Sequence, residues 1–169
     1  MAGRDPAAAG HFTTLQVRGG CVQGRDLHVD RLRQASLRMY GTAPGPDALR
    51  SRARGALAAA GMDEGDCTLR IRIQSVGDAL QVDVDIEPPR HASPQPLRVR
   101  AHPGPRALPE VKHLALDHQL EARRAAQEGA ATMRCSSPPT GPSPKARSGT
   151  SRSGMARPRP GRKAPCLRA

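Results

Sequence analysis

Aromatic side chains are almost missing from this 169-residue chain: it has no Trp, one Phe (Phe12) and one Tyr (Tyr40). A core must therefore be built from Leu, Val, Ile, Ala and Met. Cysteine is sparse and scattered. Cys21, Cys67, Cys135 and Cys166 lie far apart, and no pair has the short spacing of a zinc or redox site. The histidines form no H-E-x-x-H pattern, and His113 and His118 are five apart, off one helical face, so no metal site is expected. No apolar run is long enough to span a membrane, and no signal-peptide core is present. These absences lead to the expectation of a cytoplasmic chain with reduced thiols and no membrane partner.

Acidic residues are absent from one region. Residues 131–169 hold 9 Lys and Arg and no Asp or Glu, a net +9, whereas residues 1–130 hold 18 and 15, a net +3. The total of +12 invites a nucleic-acid reading, with nine positive charges to track phosphates. The basic region carries no aromatic for base stacking, and the larger part of the chain is nearly balanced. A nucleic-acid-binding protein with a basic disordered arm is therefore the alternative reading, and a non-catalytic scaffold is a third.

What is present reads as alternating strands and periodic helices. Residues 1–10 are small and polar and are expected to fray. Phe12 to Val17 reads as a strand, Gly19-Gly20 as a turn, and Cys21 to Gln23 as a short returning strand. Asp26 is placed to cap a helix running to about Tyr40, with Val29, Leu32, Ala35 and Met39 on its buried face and Gly41 ending it. Pro46 to Ala60 fits a second helix, with Pro at its start and Gly61 past its end. Thr68 to Ile73 and Leu80 to Ile86 alternate with period two around a Gly77-Asp78 hairpin turn. Leu97 to Ala101 is another short strand. A Pro/Gly loop then leads to Lys112 and a helix-forming run of Leu, Ala, Glu, Gln and Arg. The expected class is α+β, with four or five strands and three helices. Residues 131–169 have almost no large apolar side chains and no period, so disorder is expected there.

The stretch PEVKHLALDHQLEARRAAQEG, residues 109–129, carries the chemistry. On spacing alone, Lys112 is either a nucleophilic amine held at a loop–helix junction or an ordinary exposed charge.

Three pieces in order resemble the class IV aminotransferases, a pyridoxal-phosphate family that includes branched-chain and D-amino-acid aminotransferases and aminodeoxychorismate lyase. FTTLQVRGG is similar to the family's first strand and hairpin. DLHVDRLRQAS is similar to its H-x-x-R-L helix. PEVKH with LEARRAAQEGA is similar to the segment of its Schiff-base lysine. The resemblance covers residues 11–130 and implies the N-terminal domain of the D-amino-acid aminotransferase-like fold. It implies Lys112 as catalytic and cofactor-binding lysine, Arg31 as the arginine that grips the cofactor phosphate, and His28 as a packing residue. It implies pyridoxal 5'-phosphate as cofactor, an amino-acid or aminodeoxychorismate-type substrate, and a homodimer.

The family also places a glutamate about 33 residues after the lysine, and no acid follows Glu128 here. The codons of Ala131 to Ala156, shifted one base upstream with GC-rich choices, can read DDALFVAADGPVSEGPLWNVAFWDGA. That resembles the family's D-D-A-L-x-x-x-x-D-G-x-V-x-E-G segment, with the shifted glutamate over Lys145. The expectation is a frame lost near residues 129–132, leaving a truncated site of doubtful activity.

Overall fold

A computed structural model describes residues 5–92, 94–96, 98–103, 108–128 and 133–137. Its main unit is a four-stranded antiparallel sheet in the order β2-β1-β3-β4, from β1 (His11–Arg18), β2 (Cys21–Val22), β3 (Cys67–Val76) and β4 (Ala79–Glu87). The period-two side chains on β1 and β3 divide the sheet into two faces. His11, Thr13, Leu15 and Val17 are buried, as are Leu69, Ile71 and Ile73, whereas Phe12, Thr14, Gln16, Arg70 and Arg72 are half-buried on the other face.

Two helices cover the apolar face. Ahead of them, α1 (Pro6–Ala9) is one helical turn. The helix α2 (Arg25–Tyr40) contributes Val29, Leu32, Ala35 and Ser36, and α3 (Pro46–Ala59) contributes Leu49, Ala53 and Leu57. These pack with Leu15, Val17, Val22, Leu69, Ile71 and Ile73 into one core. Full burial of each Leu, Val or Ile contributes about 1.5–3 kcal/mol. No aromatic ring belongs to this buried cluster, though Tyr40 packs at its edge. Gly41 ends α2 in the left-handed region at φ 71°, and its N–H donates to the Leu37 carbonyl.

Several sequence expectations need correction. Asp26 does not cap α2: Gly24, left-handed at φ 68°, holds that position without a side-chain cap. The sharp exit from β2 demands a left-handed residue there. Asp26 lies in the first turn instead and is drawn to Arg50 at 3.0 Å and Arg25 at 3.3 Å. Ser36 is fully buried, while the expected Met39 is half-buried. The N-terminus expected to fray holds a helical turn over Pro6–Ala9, and Gly10 is buried beyond it. Cys21 is disulfide-bonded rather than reduced, and the buried Cys67 is a free thiol.

The later part is a second, smaller unit. β5 (Val99–Pro103) does not join the main sheet but pairs in parallel with β6 (Met133–Ser137), and α4 (Asp117–Glu128) lies between them in sequence. Residues 133–137 thus form a strand within the region expected to lack structure. The rest of that expectation, residues 138–169, and the proposed loss of frame at 129–132 lie outside the described residues. No helix among the described residues is long and apolar enough to cross a membrane.

Candidate functional site

The site begins with a gap in the sheet edge. β2 pairs with β1 only at Val17 and Arg18, so β2 leaves the upstream half of that edge of β1 open. An open edge presents unpaired backbone donors and acceptors. The segment following Pro109 fills it. The Phe12 N–H donates to the Lys112 carbonyl at 2.9 Å, the Leu114 N–H donates to the Gly10 carbonyl at 2.8 Å, and His11 and His113 form an antiparallel bridge.

Extended geometry then decides where each side chain goes. Val111, His113 and Ala115 are buried, while Lys112 and Leu114 between them are half-buried. Before the segment, Glu110 is held by Arg38 of α2 at 3.1 Å. Lys112 is therefore not in a free turn: its backbone is part of the β1 edge.

The Lys112 ammonium lies 4.5 Å from the centroid of the Phe12 ring, and the Arg70 guanidinium carbon lies 5.8 Å from the same centroid. Both distances are within the range of cation–π attraction. Arg70 is also paired with Glu87 at 3.2 Å, and Arg72 with Asp85 at 2.9 Å. The only phenylalanine of the chain thus sits among cations on the polar face of the sheet.

On α2, His28 Nδ1 lies 2.7 Å from Thr13 Oγ1. Burial pushes the His28 pKa down, and the positive charges of Arg31 and Lys112 push it further. Arg31 and Lys112 therefore bear on one neutral imidazole. Arg31 stands one helical turn beyond His28, is exposed, and makes no ion pair among the described residues. The positive potential that two such cations set up at a neutral ring favours an anion.

Of the residues picked from the sequence, Lys112 and Arg31 each act electrostatically on His28. Sequence reading missed Phe12 and Thr13 as neighbours of this site. The available signal was that β1 alternates, so a lone aromatic at 12 and a hydroxyl at 13 must face opposite ways. Two cavities lie beside the main sheet, and of the site residues only His28 lines either of them. An open groove of about 640 Å³ lies between α3 and β4, and a void of about 20 Å³ lies under α2 and α3. Neither is lined by Lys112, Arg31 or Phe12. Among the described residues no group of three His, Cys, Asp or Glu is placed to hold a metal ion.

This arrangement of sheet, helices and docked lysine segment is the fold of the N-terminal domain of the fold IV transaminases, shared with aminodeoxychorismate lyases. In particular, the chain matches a fold IV transaminase from Curtobacterium pusillum with a TM-score of 0.65 and 19% identity, covering 77% of this chain and 52% of that one. A hypothetical aminotransferase from Mycobacterium tuberculosis in its apo form matches with a TM-score of 0.62 and 21% identity, covering 77% and 53%. That protein is also known in a PLP-bound form. A protein assigned as 4-amino-4-deoxychorismate lyase from Legionella pneumophila matches with a TM-score of 0.60 and 17% identity, covering 75% and 52%. The chain spans about half the length of the solved structures it matches. No protein-family model and no curated protein matches the sequence.

Proposed function

We propose that residues 11–130 are the cofactor-binding N-terminal part of a pyridoxal-phosphate-dependent class IV enzyme, an amino-acid transaminase or an aminodeoxychorismate-type lyase. The observation that carries the reading is the backbone fastening of the Lys112 segment to β1, with the charges of Lys112 and Arg31 both acting on His28. An amine and a guanidinium suit a ligand that has both an aldehyde and a phosphate. When bound, pyridoxal phosphate supplies the aldehyde that joins the amine and a ring that draws electrons from the substrate's α-carbon.

The chain's own residues then have separate tasks. Lys112 would provide the amine that holds the aldehyde and would hold a proton beside the reacting carbon. Arg31 anchors the phosphate with a charge-assisted fork. His28, kept neutral and fixed by Thr13, adds no third positive charge.

The reading extends to the region beyond 129. We take residues 131–169 to be an out-of-frame translation, with the shifted glutamate over Lys145 as the partner for the cofactor's ring nitrogen. A carboxylate there favours the protonated ring. Activity of the whole protein, as a homodimer on an amino-acid or aminodeoxychorismate-type substrate, requires that second half.

Borohydride reduction in the presence of pyridoxal phosphate, followed by peptide mapping, tests the assignment. The chain has three lysines, Lys112, Lys145 and Lys163. Label is expected on Lys112; label spread evenly over all three sinks the reading.

A further inference from the structure

A buried polar cluster lies beside the Lys112 segment, and the proposed chemistry does not use it. His11 on β1 is 1% exposed and His113 on the segment is 2% exposed, and the two are the bridge partners that dock it. From α2, Ser36 Oγ lies 2.9 Å from His11 Nε2, and Tyr40 stacks on the His11 ring with centroids 5.9 Å apart. From β3 the neighbours are Ile73, directly opposite in register, and Gln74, neither of them ionisable. The one carboxylate of the segment, Glu110, is engaged by Arg38 at 3.1 Å. His11 Nδ1 and the Tyr40 hydroxyl are both buried without a hydrogen-bond partner.

We propose that His11 is a positioning residue for Lys112: with its bridge partner His113 it forms a buried clasp that holds the 111–115 segment on β1, and protonation of His11 releases the segment. Among the described residues, an imidazolium at this place would have Ser36 Oγ as acceptor for one N–H, nothing for the other, and no charged group acting on it. The lack of a counter-charge is consistent with the His11 pKa, which burial alone lowers to about 4. With the segment undocked, one flank of His11 opens to water, where imidazole protonates near its ordinary value of 6.5. Lowering the pH from 7 to 5 then multiplies the undocked population by roughly twentyfold. Lys112, between Val111 and His113, loses its fixed position with the segment. That functional consequence rests on Lys112 being the reactive amine; the clasp itself does not.

The test is amide hydrogen exchange on the full 169-residue chain at pH 7 and pH 5, each rate divided by the intrinsic rate at that pH. Protection of the Phe12 and Leu114 amides is expected to fall about twentyfold, while the β1–β3 ladder changes by less than about threefold. The double variant His11→Leu with Ser36→Ala removes both partners of the buried bond and should abolish the pH dependence. Equal behaviour of Phe12, Leu114 and the ladder overturns the clasp, as does an unchanged pH response in the double variant. Should that variant fail to fold, the wild-type comparison decides alone. Borohydride labelling of Lys112 at the two pH values separates the readings. Amide release at pH 5 without Lys112 labelling at either pH keeps the clasp and removes the catalytic assignment.

Discussion

The two faces of the four-stranded sheet follow opposite rules. The face under α2 and α3 is dry and aliphatic, with Leu69 and Ile73 fully buried against Leu32, Leu49 and Leu57. The other face carries Phe12, the Arg70–Glu87 and Arg72–Asp85 pairs, and the Lys112 ammonium against the ring. Burial of apolar area is worth several times more than partly exposed ion pairs, which contribute about 0–1 kcal/mol each. Stability therefore resides on the helix face, and the other face is free to carry charge. His11 and Thr13 are the exceptions, polar groups on the dry face, and both are held by α2 through Ser36 and His28.

The largest expected effect comes from giving the polar face the rest of its site. One inserted base near codons 129–132 should yield a longer chain that turns over an amino acid or aminodeoxychorismate, while the 169-residue chain should bind pyridoxal phosphate at Lys112 without turnover. Purifying and assaying both side by side checks this. Equal activity removes the truncation argument, and an immediate stop codon in the restored frame removes the loss of frame.

Next comes the contrast in stability. Leu69→Ala should cost about 2–5 kcal/mol in urea unfolding, and Arg72→Ala about 1 kcal/mol or less. If the arginine variant costs as much as the leucine one, the division between the faces is wrong.

Acid tests the exceptions on the dry face. The His11 pKa is about 4 in the folded chain against 6.5 unfolded, so its neutral form is the stabilised one. Its contribution is full above pH 6.5, declines as the pH falls, and is gone below about 4. The expected loss attributable to His11 is roughly 3 kcal/mol, read as wild type minus the His11→Leu/Ser36→Ala variant in urea unfolding across this range. No difference in slope between the two chains contradicts the assignment.

Arg31→Ala should weaken pyridoxal-phosphate binding by about 1.5–3 kcal/mol and leave stability within about 0.5 kcal/mol, since the side chain is exposed. Titration calorimetry and urea unfolding of one preparation give both numbers. Unchanged affinity removes Arg31 from the phosphate site. The smallest effect is on His28: without the Arg31 charge its pKa should move up, toward the ordinary value, in an NMR titration. A downward move would mean that Arg31 does not act on His28.

Local pattern made much of the fold legible. The period-two runs around Leu15, Leu69 and Val84 are strands, and the spacing of Val29, Leu32 and Ala35 is a helix face. Gly41 and Gly77 mark a helix end and a hairpin turn, with φ of 71° and 59°. Each of these depends on residues within a few positions of one another. Lys112 and Arg31 were singled out as candidates through three motifs in the right order.

Other features depend on partners far along the chain. Asp26 reads as a cap until Arg50, 24 residues later, competes for it. Leu97 to Ala101 reads as another strand, but nothing local says that β5 joins β6 rather than the main sheet. The sequence by itself determined the alternation of strand and helix, the two sheet faces and the candidate amine, because propensity and period are local properties. Only the tertiary structure decided that Lys112 is fastened to β1 and that its ammonium meets Phe12, 100 positions away. Tertiary packing also seals His11 between Ser36, Tyr40 and His113. Those contacts follow from an open strand edge seeking hydrogen bonds, and where a chain finds its missing backbone partners is settled by packing.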